Sequence, residues 1–190
     1  MKIIPAWRIF LAAALTLCVA TQASSAAAAK SPEFQRVLQQ AGLPFNDYIR
    51  QRIFTPCRMK HAVLNAAPDT PRLARAFNAD GKEDSTDMPV TGVAYMTARD
   101  LLDWTTCLQR GRVVTRESLQ LLGRSFEPKN GALSSTVWEG ERLVAHSHGG
   151  QSRNFDALMR CDFRTGRTII LLSNQKRQNL QQIADSLEAL

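Results

Sequence analysis

The chain has 190 residues, 44% hydrophobic and 22% charged, which is an ordinary globular composition long enough for one domain or a small pair. Ten glycines and eight prolines exclude a fibrous or low-complexity protein, and four cysteines are too few for a disulfide-built mini-protein. Lysine and arginine outnumber aspartate and glutamate by 24 to 17, for a net charge of +7, but the basic residues are scattered. No dense basic run and no aromatic-interleaved motif is present, so the charge reads as a solvated surface and not as a nucleic-acid site.

Lys2 and Arg8 precede the uncharged run Ile9–Ala20, which is too short for the roughly 20 residues that span a bilayer. A basic start, a short apolar stretch and the small-residue tail Ala23–Ala29 predict a signal peptide over 1–29, cleaved after Ala28 or Ala29. Leu17 before Cys18 argues against a lipoprotein anchor. The expected mature chain, 30–190, is periplasmic or secreted and has no transmembrane anchor. Loss of Lys2 and Arg8 lowers its net charge from +7 to +5. Cys57, Cys107 and Cys161 survive cleavage; in an oxidising compartment two pair and one stays free, and the sequence does not choose which.

Ser31-Pro32-Glu33 opens a first helix with Phe34, Val37 and Leu38 on its apolar face, and Gly42-Leu43-Pro44 interrupts it. Phe45, Tyr48, Ile49 and Ile53 resume helical spacing until Pro56, where that helix is expected to stop. Residues 64–92 carry prolines and glycines with weak periodicity and read as a long surface excursion. Thr97 is an N-cap with Asp100 in the capping-box position, opening a helix through Leu101, Trp104 and Leu108 that ends at Gly111. A shorter helix runs from Thr115 to Leu122. The period then changes. Ser134–Trp138 and Arg142–Ser147 flank a hairpin turn at Gly140, and Phe155–Cys161 and Arg167–Leu172 flank a second at Gly166. Leu180, Ile183, Leu187 and Leu190 recur at helical spacing and form a closing helix. The order predicts an α+β fold, with an antiparallel sheet of about four strands packed against helices: a helical part over 30–125, then sheet and closing helix over 132–190.

Three segments share one further property. Gly42-Leu43-Pro44-Phe45 leads through Tyr48-Ile49 to Phe54-Thr55-Pro56-Cys57-Arg58-Met59. Gly92–Leu101 followed by Trp104 forms a glycine-led turn into a capped helix. His148-Gly149-Gly150-Gln151 precedes a hairpin ending in Leu171-Leu172-Ser173-Asn174. In this order and spacing the stretch from about Gln39 to the C-terminus resembles the second half of the serine β-lactamase and penicillin-binding-protein-like family, in the branch of class C β-lactamases, D-alanyl-D-alanine carboxypeptidases and esterases. Cys57-Arg58-Met59 stands where that family has leucine-glycine-methionine. The resemblance implies a partial β-lactamase/transpeptidase-like fold and acyl transfer on small-molecule or peptide substrates, without cofactor or metal. A serine attacks a carbonyl, a lysine one helical turn on assists, and a third motif on the sheet's edge strand supplies a donor and an oxyanion-binding N–H. His148 falls at the lysine position of that third motif, Gly149 at the threonine and Gly150 at the glycine; the Gln151 N–H falls at the oxyanion donor. The plainer alternative is a pair of strand histidines before a tight Gly149-Gly150 turn.

The departures weigh more. Ser173-Asn174-Gln175-Lys176 is the only serine followed by lysine at the fourth position, and it ends a predicted strand where the chemistry needs a helix. Neither Tyr48 nor Tyr95 starts a tyrosine-x-asparagine or tyrosine-x-serine motif. The expected protein is therefore an exported β-lactamase-related domain without its nucleophile, with little or no activity. An exposed apolar patch on the sheet or on Phe45–Phe54 is expected to meet a second copy or a separately encoded first half. Two alternatives stand beside this. One is a non-catalytic envelope peptide- or glycan-binding module at His148-Gly149-Gly150. The other is a hydrolase using Ser147 or Ser152 beside His146 or His148, with Asp156 orienting the imidazole. His146 and His148 are two apart, on one face of a strand, but no third ligand has metal-site spacing.

Overall fold

The computed structural model describes residues 32–64, 66, 70–84, 94–124, 133–151, 154–175 and 179–190; the expected signal peptide and the Ser31 cap lie outside them. Helix α1 spans Pro32–Ala41. It closes at Gly42, φ +62°, with Gly42 N–H on the Gln39 carbonyl and Leu43 N–H on that of Leu38. Helix α2 begins over Phe45–Ile49, widens to a π-helix over Arg50–Phe54 and finishes with one α turn at Thr55–Cys57. The helix thus runs through Pro56, against expectation. In the π turn the Thr55 N–H reaches five residues back to the Arg50 carbonyl, and the wider turn accommodates a ring that would clash in a regular helix. The end comes at Arg58, φ +60°, with Arg58 N–H on Thr55 O and Met59 N–H on Phe54 O. This is the closure seen at Gly42 with arginine in the glycine place, at a backbone cost of about 1 kcal/mol.

Helix α3, Ala98–Gln109, starts at the expected capping box: the Asp100 N–H donates to Thr97 Oγ1, and the Thr97 N–H returns to Asp100 Oδ2. Asp100 is buried and also accepts from the His61 N–H. Burial pushes its carboxyl up, but the hydrogen bonds from Thr97 and His61 outweigh it and hold the pKa below the ordinary value. Helix α4, Arg116–Gly123, is capped by Thr115. A disulfide joins Cys57 to Cys107, tying the end of α2 to α3, and among the described residues Cys161 is the free cysteine, buried. Tyr48, Ile49, Ile53, Trp104, Leu108 and Leu119 form the helical core.

The excursion after residue 64 is only partly a loop. Strand β1, Val63–Leu64, pairs antiparallel with β2, Ala94–Tyr95. Residues 70–84 are strapped to the sheet's end. The Phe77 N–H donates to the Asn174 carbonyl at 2.8 Å, Asn174 Nδ2 to the Arg75 carbonyl at 2.7 Å, and Gln175 Nε2 to the Asn78 carbonyl at 2.9 Å.

The main sheet is antiparallel, β3 (Ser135–Glu139), β4 (Arg142–Gln151), β5 (Asp156–Asp162) and β6 (Arg167–Ser173), in that spatial order. Helix α5, Leu180–Glu188, covers one face, where Leu158, Ile169, Leu180 and Ala184 cluster. The helical layer covers the other: Thr105 Oγ1 on α3 touches Met159 Sδ at 2.9 Å. The architecture is α+β, as expected. Among the described residues no helix is long and apolar enough to cross a membrane. Helix α2 does not expose an apolar face: Tyr48, Ile49, Ile53 and Phe54 are buried. Exposed apolar side chains on the sheet include Val137 and Leu172, on the opposite edge strands β3 and β6.

Candidate functional site

Strand alternation sorts the residues of β4. Val144, His146, His148 and Gly150 share the face turned to α3, since Met159, which touches Thr105, lies opposite His148. Ser147, Gly149 and Gln151 take the α5 face, where Arg160 lies opposite Ser147. Ser147 is therefore not beside either imidazole. Asp156 lies opposite Gln151 and accepts from its Nε2 at 3.2 Å, away from the histidines. These two facts remove Ser147 and Asp156 from a serine–histidine arrangement; Ser152 lies outside the described residues.

His146 Nε2 meets the Leu133 carbonyl at 2.8 Å, which sets it as the protonated nitrogen, and its Nδ1 has no partner among the described residues. Burial, then the neighbouring His148, push this imidazole down to about 4, with the Leu133 carbonyl opposing, so the ring is neutral at pH 7. His148 is 8% exposed, and neither of its ring nitrogens has a hydrogen-bond partner among the described residues. Burial lowers its pKa as well, opposed by the nearby Leu133 carbonyl, which lies outside hydrogen-bond geometry for this ring. The two ring centroids lie 6.4 Å apart. Among the described residues no group of three or more His, Cys, Asp or Glu is placed to hold a metal ion.

Pairing between β3 and β4 ends at Ser135 opposite Ser147. Strand β4 is internal by order, yet its last four residues, His148–Gln151, run past β3 and pair only with β5 among the described residues. Among the described residues they form a local edge. Gly149 and Gly150 lie within the strand, opposite Leu158 and Ala157, and not in a tight turn. A β-carbon at Gly149 would meet the Ala157 carbonyl at 3.5 Å and Leu158 Cδ1 at 3.7 Å, both ordinary contacts, so the backbone there does not itself demand glycine. Beyond the strand, Asn154 is buried and its Nδ2 donates to Asp84 Oδ2 at 3.0 Å. Sequence reading missed both this pair and Leu133: the contacts span 70 and 13 residues and carry no local motif. Ser173 Oγ donates to the Gln175 carbonyl in the turn after β6, and Lys176 lies outside the described residues. Tyr48 is buried in the helical core and Tyr95 pairs with Val63.

Among solved structures, the chain is similar to a penicillin binding protein from Bacillus halodurans, at TM-score 0.64 and 17% identity over 80% of this chain and 52% of that one. It is also similar to the D-amino acid amidase from Ochrobactrum anthropi SV3, at TM-score 0.62 and 21% identity over 82% and 54%. The same amidase complexed with L-phenylalanine amide matches at TM-score 0.55 and 27% identity over 74% and 47%. The chain thus spans about half the length of these structures. No curated protein sequence matches it. The family model described as Beta-lactamase matches residues 34–189, running without a break from the first helix through the sheet to the closing helix, and on that match the chain belongs to the beta-lactamase family.

Proposed function

We propose that this chain is an exported member of the family that holds an acyl-type ligand, a peptide or a small amide or ester, at the free edge of His148–Gln151 and does not turn it over. The observation that carries the reading is the edge itself: four residues of β4 past the end of β3, beside a buried imidazole whose nitrogens have no partner among the described residues. An extended ligand can add to such an edge through backbone hydrogen bonds. The Gln151 N–H then serves the ligand carbonyl, and neutral His148 offers one donor and one acceptor where a lysine would offer a fixed charge. Turnover needs a nucleophile, and no described helix carries a serine with a lysine one turn on. A solved relative holds L-phenylalanine amide, a ligand of the proposed class.

Intact-mass measurement tests this, before and after incubation with an acylating β-lactam. The untreated mass is expected to show loss of the first 28 or 29 residues and of two hydrogens for the Cys57–Cys107 bond. No adduct is expected, while an N-acyl amino-acid amide should bind saturably, and His148→Ala should weaken that binding by about tenfold. A stoichiometric adduct overturns the non-catalytic reading. Self-association or docking of a separately encoded half would use the β3 and β6 edges bearing Val137 and Leu172; a compact monomer in size-exclusion chromatography rejects the former.

A further inference from the structure

The end of α2 carries a feature unrelated to the β4 edge. A cavity of about 430 Å³ opens there, with Arg50, Arg58 and Lys60 around Phe54, Thr55 and Met59. The three cations are exposed, and their side chains make no hydrogen bond or ion pair among the described residues. Capping of the helix end does not explain them, because the Phe54 and Thr55 carbonyls are already taken by the Met59 and Arg58 N–H groups. Arg58 is the most informative of the three. It sits at φ +60°, where glycine is the low-cost residue and where the family resemblance places glycine. A strained backbone thus carries a guanidinium at a cavity that already holds two positive charges. The neighbouring Cys57 is bonded to Cys107, which fixes the position of this turn on α3.

We propose that this cavity binds a phosphate group. Three cations lining one cavity match a doubly charged oxyanion better than a single carboxylate, and two guanidinium forks with one ammonium suit a tetrahedral oxyanion. The apolar floor of Phe54, Met59 and Ala62 has room for the carbon part of a phosphate ester. This inference stands or falls independently of the acyl-ligand reading.

The test is titration of the full exported chain with inorganic pyrophosphate at near-physiological salt, read by calorimetry. Saturable binding is expected. Arg58→Gly should weaken it by about tenfold or more. Because glycine relieves the backbone at this position, that variant should fold at least as well as the parent, so loss of binding cannot be put down to misfolding. Lys60→Gln should weaken binding less, and Arg142→Ala, which removes one charge from the far hairpin, should leave it unchanged. Displacement of pyrophosphate by glycerol phosphate would assign a free ester, and displacement only by a phosphodiester oligomer a polymer; either upholds the site. Absence of saturable binding, or equal weakening by Arg58→Gly and Arg142→Ala, overturns it.

Discussion

On the α5 face of the sheet, Arg160 donates to Asp185, Glu188 and Gln181, Arg167 donates to the Glu188 carbonyl, and a small apolar cluster lies beside them. On the α3 face the same strands bury His146, His148 and Cys161, and three imidazole nitrogens have no partner among the described residues. One face settles its polar groups with itself. The other keeps donors and acceptors uncommitted at a real desolvation cost. On the proposed reading, that difference makes the α3 face the ligand-facing side.

The comparison can be broken most forcefully from the helical side. Replacing Cys57 and Cys107 by serine removes a cross-link spanning 50 residues and should cost about 4 kcal/mol in urea unfolding. Acid should come next. His146 has a folded pKa of about 4 against 6.5 unfolded, so the unfolded chain binds more protons between those values. Its contribution is complete above pH 6.5 and is lost as pH falls toward 4, by up to about 3 kcal/mol. His146→Phe should flatten that slope; an unchanged slope would assign it elsewhere. Asp100, with its pKa held below 3.8, acts with the same sign but only at lower pH. Thr97→Ala, which opens the α3 capping box, should cost about 1 kcal/mol in thermal or urea unfolding. Arg160→Met should have the smallest effect, under about 1 kcal/mol and salt-dependent, because Asp185 and Glu188 are 66% and 45% exposed. A larger loss would show that the α5 face depends on its charges after all.

Much of this was readable from the chain. The Thr97–Asp100 box, the helix expected from Thr115 and the hairpins at Gly140 and Gly166 are set by neighbours within a few residues, and each lies where expected, with Thr115 serving as the cap. Leu180 and Ile183 of the α5 stripe are equally local and pack on the sheet, while Leu187 and Leu190, expected with them, are exposed and Ala184 is buried in their stead. Passage through Pro56 was not readable, because a π turn leaves no mark in side-chain periodicity. Nor was the choice of Cys107 as the partner of Cys57, which depends on how α2 crosses α3. Strand β4 extends four residues beyond its expected end because two glycines read as a turn when cross-strand pairing is unseen. His148, Gly149, Gly150 and Gln151 were recognisable as a group only by resemblance; that among the described residues they form an edge emerged from where β3 stops.

The strap over 70–84 has a consequence for the order of folding. Its bonds from Asn174 and Gln175 join groups 99 and 97 residues apart, whereas both hairpins close across turns of a few residues. The chain entropy of such long closures is recovered only when the sheet already exists, so the strap is among the last pieces to form. Running in reverse, it is among the first to let go. Native-state hydrogen exchange should find the Phe77 amide opening well below the global unfolding free energy, while the amides of β5 exchange only with the whole molecule.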